Sequence, residues 1–261
     1  MSYLVIKCGG SVLEQLPAAF YKNIASIARD YLYQPIIVHG GGPMVSSLLT
    51  ELNMETKFVD GMRVTTEEVL DVVEMALSGS VNKKIVRHII ANGGSAVGLS
   101  GVDGMLLEAK VLVHQQGLGF VGEVIAVNTM ELESISSQGK IPVISPVAID
   151  KQGQRWNVNA DLAAAAVAKA LQAPLYMMTN VPGVLKQGNL RTKLTTSEAE
   201  AMITSSHIHG GMIPKVQAAL DSLQQGVNEV VILNGLEINS LPRLLQGEEI
   251  GTSFSLDKIE T

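Results

Sequence analysis

Two glycine clusters, each following a short apolar run, are the first features of this sequence that could do chemistry. Residues 7–11 read KCGGS, and residues 39–43 read HGGGP. Glycine lets the backbone approach an anion closely, so that free N–H groups at the start of a helix can bind the charge. Lys7 adds a cation at the mouth of the first cluster. Tight turns with a solvated lysine would explain one cluster alone, but the two clusters together favour an anion-binding site.

Residues 157–161 (NVNAD) place three polar side chains directly before an alanine-rich stretch. Asn159 suits the N-cap of a helix, and the charge of Asp161 suits the first helical turn. These structural roles explain Asn159 and Asp161 about as well as a functional role does. They leave Asn157 unexplained.

Two cations occupy positions that favour an anionic ligand. Lys215 follows Pro214 at the start of a helical pattern. A lysine is unfavourable beside the positive end of the helix dipole unless an anion is bound there. Arg63, within residues 61–65 (GMRVT), precedes another helical pattern. Its guanidinium could bind a carboxylate through two hydrogen bonds, or it could be a surface residue.

Two other motifs have simpler interpretations. His39 could be a general base, but burial with a hydrogen bond to the backbone is the commoner role for such a histidine. The spacing Gly117-x-Gly119-x-x-Gly122 matches a dinucleotide fingerprint. A strand-like run follows it in place of a helix, so we predict a hairpin turn there. This pattern is the only feature of the sequence that would suggest a nicotinamide-dependent oxidoreductase.

Short apolar runs alternate with helical patterns along the chain and must position these residues. Runs flanked by glycine or by helical patterns predict strands at 3–7, 35–39, 96–99, 141–144, 175–178 and 230–233. Helical patterns cover 18–32, 44–52, 160–173 and 216–225. This alternation predicts an α/β fold with a mainly parallel sheet covered on both faces. Two alternating runs within 106–127 predict a hairpin beside that sheet.

Local signals mark helix starts and a possible boundary between lobes. Thr65 with Glu68, and Thr195 with Glu198, have the spacing of a capping box. No Ser- or Pro-rich linker divides the chain. If there are two lobes, the softest boundary is at residues 172–173.

The overall composition limits the class of protein. The chain has 261 residues, of which 46% are hydrophobic, and its 19 Lys and Arg against 25 Asp and Glu give a net charge of −6. A protein that coats nucleic acid or a membrane needs a basic surface, so neither partner is expected, whereas a small anionic ligand remains possible. The single cysteine, Cys8, excludes an intramolecular disulfide. We expect a cytoplasmic protein, because the sequence has neither a signal-peptide pattern nor a long apolar run.

Seven segments, in order along the chain, resemble the amino-acid kinase family over essentially the whole length. They are residues 7–11 (KCGGS), 39–43 (HGGGP), 61–65 (GMRVT), 82–84 (NKK), 97–101 (VGLSG), 157–161 (NVNAD) and 210–215 (GGMIPK). The resemblance implies a three-layer α/β sandwich around a mainly parallel sheet, similar to carbamate kinase. It also implies an N-lobe at 1–172, which binds the amino acid and dimerises, and a C-lobe at 173–261, which binds ATP.

The GMRVT and NVNAD segments resemble the branch of this family that acts on N-acetyl-L-glutamate. The resemblance implies transfer of the γ-phosphoryl group of ATP to the side-chain carboxylate of that substrate, in arginine biosynthesis. Mg²⁺ is expected to arrive with ATP and not on protein ligands. Aspartate, glutamate 5-, carbamate and uridylate kinases are the nearest alternatives, and a non-catalytic sensor of nucleotide or amino acid is a more distant one. A sensor would not need the transition-state charge that Lys7, Asp161 and Lys215 suggest.

The same resemblance implies a role for each candidate residue, carried over by position. Gly41, Gly42, Arg63 and Asn157 would bind acetylglutamate, with Arg63 on its α-carboxylate. Lys7 and Lys215 would stabilise the transferring phosphoryl group, and Asp161 would hold the lysines in place. Gly9, Gly10, Ser11 and Gly40 would form the phosphate loop. The segments that line the nucleotide would include Asn180, Val181, Gly183, Leu185, His207 and His209.

Two departures from relatives carry expectations of their own. Asn180 stands where the family usually has Asp, so we expect the nucleotide contact at this position to differ. Arginine-inhibited hexameric relatives resemble this fold with an added N-terminal helix, whereas this sequence begins with its first strand. We therefore expect a homodimer without arginine feedback.

Overall fold

Strands and helices alternate along the chain in the computed structural model, which describes residues 2–30 and 33–257. The strands, β1 to β16 in chain order, are Ser2–Cys8, Tyr33–His39, Phe58–Val59, Met62–Arg63, Ala96–Ser100, Leu107–Val111, Val121–Val127, Ile141–Ser145, Val147–Ile149, Arg155–Val158, Leu175–Thr179, Leu185–Lys186, Asn189–Leu190, Lys193–Thr195, Val230–Asn234 and Thr252–Ser255. The helices, α1 to α10, are Gly10–Leu13, Ala18–Arg29, Gly42–Glu51, Glu67–Glu74, Asn82–Ala91, Thr129–Ser137, Ala160–Ala170, Thr196–Thr204, Ile213–Gln224 and Ser240–Leu245. A π-helix, Met75–Val81, joins α4 to α5.

The main sheet contains all six strands that the apolar runs predict. Its order is β14-β16-β15-β11-β1-β2-β8-β5. Every neighbouring pair is parallel except β15 and β16. The prediction of a mainly parallel sheet is therefore confirmed. Strands β1 and β2 lie side by side in register from Ser2 with Tyr33 to Cys8 with His39, so the two glycine clusters leave the sheet at the same edge.

Helices cover both faces of this sheet, as predicted. Alternate residues of a strand point to opposite faces. Leu4 and Ile6 of β1 pack in the hydrophobic cluster that includes α2, α5 and α10. Val5, between them, packs in the cluster that includes α7 and α9. The fold is thus a three-layer α/β sandwich whose middle layer is buried on both sides.

The observed helices match the predicted ones apart from their ends. The pattern at 18–32 becomes α2, which ends at Arg29, and Tyr31 and Leu32 lie outside the described residues. The alanine-rich pattern at 160–173 becomes α7, which ends at Ala170. Gln172 then adopts a positive φ of 50°, which stops the helix before the strand β11. Within the described ranges, no helix combines the length and apolar character needed to cross a bilayer.

One of the two predicted capping boxes is confirmed and the other is wrong by one residue. The Thr195 hydroxyl accepts from the N–H of Glu198, whose carboxylate accepts in return from the N–H of Thr195. At the other site the N-cap is Thr66, not Thr65. The backbone of Thr65 is already used, because its N–H donates to Leu118 and its carbonyl accepts from Phe120. Helix α4 therefore starts one residue later than the spacing suggests.

The predicted hairpin is confirmed as the antiparallel pair β6 and β7. It closes with β9 and β10 into a four-stranded barrel, in the order β10-β7-β6-β9. The sequence did not predict the barrel, because β9 and β10 have only three and four residues and so show no usable alternation. Gly117 and Gly119 lie in the connection between β6 and β7 with φ of 64° and 67°, which confirms a turn in place of a dinucleotide loop.

Gly119 fixes the contact between this turn and Thr65. A Cβ at Gly119 would lie 2.2 Å from the carbonyl oxygen of Thr65, whereas a Cβ at Gly117 would meet nothing within 4 Å. Because both glycines have positive φ, Gly117→Ala carries only the conformational penalty, about 1 kcal/mol. We expect Gly119→Ala to lower the free energy of unfolding by about 3 kcal/mol, because steric overlap adds to that penalty. Urea unfolding of both variants measures the difference, and equal losses would contradict this account.

His39, the last residue of β2, is fully buried. Burial lowers its pKa from 6.5 to about 4. In the unfolded chain the ring takes up a proton as the pH falls through 6.5, whereas the folded protein takes it up only near pH 4. Between these values the unfolded state binds more protons, so acid favours unfolding.

We therefore expect His39 to contribute a loss of stability of up to about 3 kcal/mol between pH 6.5 and 4. Urea unfolding of the unchanged protein and of His39→Leu, measured from pH 7.5 to 4.5, isolates this contribution from that of the carboxylates. The unfolding free energy of the variant should fall less steeply with decreasing pH. Parallel pH profiles for the two proteins would refute the assignment.

Candidate functional site

The two glycine clusters touch where β1 and β2 end. A Cβ at Gly10 would lie 2.8 Å from Cδ of Pro43 and 3.1 Å from the backbone nitrogen of Gly42. Any side chain at Gly10 would therefore push the clusters apart. Helix α1 starts at Gly10 and helix α3 starts at Gly42, so two positive helix ends meet at this contact.

Backbone N–H groups at this contact are free to bind an anion. The first N–H groups of a helix have no partner within the helix. Those of Gly10, Gly41 and Gly42 find no acceptor among the described residues either. Free N–H groups beside two helix N-termini are a suitable cradle for phosphate oxygens.

A cavity of about 150 Å³, here called the lysine cavity, adjoins this cradle. It is lined by Lys7 and Ser11 from the first cluster, by Asp161 and Asn180, and by Lys215 at the start of α9. Nζ of Lys7 lies 2.7 Å from Oδ1 of Asp161. Two lysines more than 200 residues apart in sequence thus line one cavity, with a carboxylate that pairs with one of them.

Asp161 owes its position to the cap of α7. The side-chain oxygen of Asn159 accepts from the N–H of Asp161 at 2.7 Å and from that of Leu162 at 3.4 Å. Asn159 is therefore the N-cap, and Asp161 lies in the first turn. A negative charge is favourable there because the dipole end is positive. The same placement directs its carboxylate to Lys7.

A second cavity of about 170 Å³, here called the arginine cavity, lies at the second glycine cluster. Gly40, Gly41, Gly42, Arg63 and Asn157 line it together with apolar side chains that include Val73, Leu77 and Val121. Asn159 and Ala160 also line it, and the next residue, Asp161, lines the lysine cavity. The two cavities therefore meet at the N-terminus of α7, and each is lined by one of the two glycine clusters.

Arg63 is held in the arginine cavity with one nitrogen unused. Its Nη2 donates to Oγ of Ser46 at 2.8 Å and to the carbonyl of Gly42 at 3.3 Å. The guanidinium carbon stands 4.7 Å from the ring centroid of Phe58. Nη1 is buried and has no hydrogen-bond partner among the described residues. A buried, unpaired cationic N–H is costly, so this nitrogen suits an anionic ligand.

Asn157 is tied to Arg63 through Thr65. Nδ2 of Asn157 donates to the Thr65 hydroxyl at 3.0 Å, and that hydroxyl donates to the carbonyl of Arg63 at 2.8 Å. The N–H of Asn157 also donates to the carbonyl of Phe120. Residues from the NVNAD and GMRVT segments, about ninety positions apart, are therefore oriented by one chain of hydrogen bonds.

Of the six residues expected near the nucleotide, only Asn180 lines either cavity. Val181 donates its N–H to the Thr179 hydroxyl, and Gly183 is buried against Thr252. Leu185 lies in the short, exposed strand β12. His207 bonds the Ser205 hydroxyl, and His209 is exposed before a short 3₁₀ turn. The structure places these five around the C-terminal edge of β11 or before α9, but outside the two cavities.

Sequence reasoning missed several residues that shape the site. Ser46 and Phe58 position the guanidinium of Arg63, Thr65 joins it to Asn157, and Leu77 forms part of the apolar wall. Thr65 lies in a recognised segment, but its spacing to Glu68 predicts a helix cap. Ser46, Phe58 and Leu77 carried no motif, because their roles depend on contacts between distant elements.

The ligands available in the two cavities are cations, N–H groups and amides. Across residues 2–30 and 33–257, no group of three or more His, Cys, Asp and Glu is placed to hold a metal ion. Burial lowers the pKa of the Arg63 guanidinium, but arginine remains charged at neutral pH. The cavities are thus suited to binding anionic groups of small molecules.

Known proteins match this chain over most of its length. The model of the amino acid kinase family matches residues 2–234. A protein named acetylglutamate kinase from Oceanobacillus iheyensis is 48% identical over 264 aligned positions, which cover 100% of this chain and 99% of that protein.

Solved structures extend the similarity to the fold. The crystal structure of a Streptococcus mutans protein has a TM-score of 0.82 and 32% identity, covering 98% of this chain and 99% of that one. Carbamate kinase from Giardia lamblia has a TM-score of 0.67 at 16% identity, with coverage of 98% and 99%, which supports the same fold. By sequence and by architecture, this chain belongs to the amino acid kinase family.

Proposed function

We propose that this chain is an acetylglutamate kinase. It transfers the γ-phosphoryl group of ATP to the side-chain carboxylate of N-acetyl-L-glutamate, giving N-acetyl-L-glutamyl 5-phosphate and ADP, in arginine biosynthesis. The observation that carries this proposal is the pair of adjoining cavities, one containing buried Arg63 with Nη1 unpaired and the other lined by two lysines. The full-length relatives named acetylglutamate kinase, at 42 to 48% identity, support it.

In this proposal the arginine cavity binds acetylglutamate. Nη1 of Arg63 pairs with the α-carboxylate, and Asn157, oriented by Thr65, bonds a polar group of the same substrate. The apolar wall, with Leu77 and Val121, faces the acetyl group. The side-chain carboxylate then extends past the second glycine cluster towards the lysine cavity, where ATP presents its γ-phosphoryl group.

The chemistry requires charge stabilisation and not a base. A carboxylate with a pKa near 4.3 is already ionised at neutral pH. The barrier comes from bringing this anion to an anionic phosphate, so catalysis is mostly positioning and electrostatics. One oxygen of the substrate carboxylate forms a bond to Pγ. The bond from Pγ to the bridging oxygen breaks, and its electron pair stays on the terminal phosphate of ADP.

Each charged residue has a role in that transfer. Lys7 and Lys215 stabilise the negative charge on the transferring group, and the free N–H groups of the glycine clusters bind its oxygens. Asp161 organises Lys7 through their ion pair and does not act as a base. Mg²⁺ carried by ATP supplies further neutralisation of the phosphates. Asn180 gives this cavity an amide where a carboxylate would reduce the positive charge.

We assign the two substrates to different lobes. Residues 1–172 would bind acetylglutamate and dimerise, and residues 173–261 would bind the nucleotide. Strand β1, which contains Lys7, pairs with β11 across the proposed boundary. A cytoplasmic homodimer belongs to the same proposal, and light scattering on the purified protein measures its mass.

Lys7→Ala should lower kcat by about 100-fold or more, the effect of removing one preorganised donor to the transition state. The assay is trapping of the acyl phosphate as a hydroxamate with ATP and Mg²⁺. Lys22→Ala, which removes an exposed lysine on α2, is the matched control and should leave kcat unchanged. Unchanged turnover in Lys7→Ala would remove Lys7 from the mechanism.

Arg63→Lys should raise the KM for acetylglutamate about 10- to 100-fold while the KM for ATP changes little. Lysine keeps the charge but cannot reproduce both the contact to Ser46 and a bond from Nη1, and a hydrogen bond to a charged group contributes about 1.5–3 kcal/mol. Arg29→Lys on the exposed end of α2 is the control.

The same assay tests the substrate itself when free glutamate, aspartate and carbamate are compared with acetylglutamate. A preference for one of these would replace acetylglutamate in the proposal. If Arg63→Lys raised the KM for ATP and left the KM for acetylglutamate unchanged, Arg63 would bind the nucleotide and not acetylglutamate.

A further inference from the structure

We propose that His39 and Asn82 are positioning residues for phosphoryl transfer, which hold the peptide between Gly40 and Gly41 so that the Gly41 N–H faces the reacting groups. This inference rests on the proposed function and assigns a role to a buried pair that the mechanism above does not use.

The hydrogen bonds around Asn82 determine which of its atoms faces His39. Nζ of Lys83, which can only donate, lies 2.9 Å from Oδ1 of Asn82. Nδ2 of Asn82 lies 2.9 Å from the carbonyl of Val143 and 3.2 Å from that of Leu99, and carbonyls only accept. The amide orientation is therefore unambiguous, and the group 3.1 Å from Nε2 of His39 is the NH₂.

The tautomer of His39 follows from its two partners. Nε2 faces the Asn82 NH₂, which offers no acceptor for an N–H, so Nε2 carries no proton. Nδ1 lies 2.9 Å from the carbonyl oxygen of Gly40 and must donate. His39 is thus a neutral ring with its proton on Nδ1, and its lowered pKa agrees with this state. It cannot serve as a general base to the substrate because it is fully buried.

The bond from His39 sets the direction of the next N–H group. The carbonyl of Gly40 and the N–H of Gly41 belong to one planar trans peptide and point in opposite directions. When the carbonyl is held towards His39, the N–H of Gly41 must point away from that side. Gly41 lines the arginine cavity, and its N–H has no acceptor among the described residues.

The π-helix supplies the second restraint on the same peptide. A Cβ at Gly41 would lie 2.6 Å from Cδ2 of Leu77 and 3.1 Å from Cγ2 of Val81, so both side chains press against its backbone. Asn82 is the residue immediately after the π-helix. π-Helical turns are rare and are frequently found at functional sites. This one places Leu77 and Val81 against Gly41, and Asn82, which follows it, contacts the ring that bonds Gly40.

His39→Leu tests the role, because leucine removes the donor to Gly40 while Asn82 keeps its two carbonyl acceptors. We expect kcat to fall by about tenfold to a hundredfold, because misdirecting the Gly41 N–H costs less than removing a donor altogether. The KM for ATP should stay within threefold, because Gly41 lines the arginine cavity and not the lysine cavity. His39→Asn, which returns an N–H near the position of Nδ1, should recover most of the lost kcat. His88→Leu, an exposed histidine on α5, is the control.

If His39 had only a structural role, His39→Leu would lower the folded fraction, and His39→Asn would not selectively restore kcat. The kcat of each variant is therefore expressed per folded enzyme, with the folded fraction taken from urea unfolding. Folded His39→Leu with kcat within twofold of the unchanged protein would overturn the proposal, as would a kcat of His39→Asn no higher than that of His39→Leu.

Nitrogen-15 NMR of the unchanged protein gives a test without a variant. It should show His39 protonated on Nδ1 at pH 7, and a proton on Nε2 would refute the assignment. Absence of acetylglutamate phosphorylation in the unchanged protein would instead refute the proposed function.

Discussion

The close packing of two glycine clusters at the ends of neighbouring parallel strands is the constraint on which the rest of the site depends. Gly10 leaves no room for a Cβ against Pro43 and Gly42. Because the contact is this tight, the starts of α1 and α3 converge and their free N–H groups face a common region. The first cluster lines the lysine cavity and the second lines the arginine cavity, so this contact brings the two cavities close together. Two anionic groups can therefore be brought together with hydrogen-bond donors between them.

Charge in the site is arranged so that neither cavity is neutral before ligands bind. Asp161 balances Lys7, but Lys215 bonds only to a backbone carbonyl within the described residues. Arg63 is only 8% exposed, and no acidic side chain among the described residues pairs with it. A buried cation without a counterion is unfavourable, and a bound carboxylate or phosphate removes that penalty. Part of the stability of Arg63 in its folded position thus depends on the ligand.

Much of the architecture was predictable because it follows from short-range patterns. Six strands and their helices could be predicted from apolar runs, and the glycine clusters could be placed at strand ends. The errors arose where tertiary contacts override a local signal. Thr65 has the spacing of a cap, yet its backbone bonds with Leu118 and Phe120. The barrel was missed because β9 and β10 are too short to show a period.

The sequence by itself determined the residue types that can do chemistry and the edge of the sheet at which they emerge. Motif segments around Lys7, Arg63, Asn157 and Lys215 were recognisable without coordinates, because each combines a charged or amide side chain with glycine or a helix start. Only the tertiary structure decided how they are oriented. The relay from Asn157 through Thr65, the anchoring of Arg63 by Ser46, and the pair of His39 and Asn82 join positions 17 to 92 residues apart. Such pairings leave no local pattern, because they depend on which strands and helices pack together and not on the order of neighbouring residues.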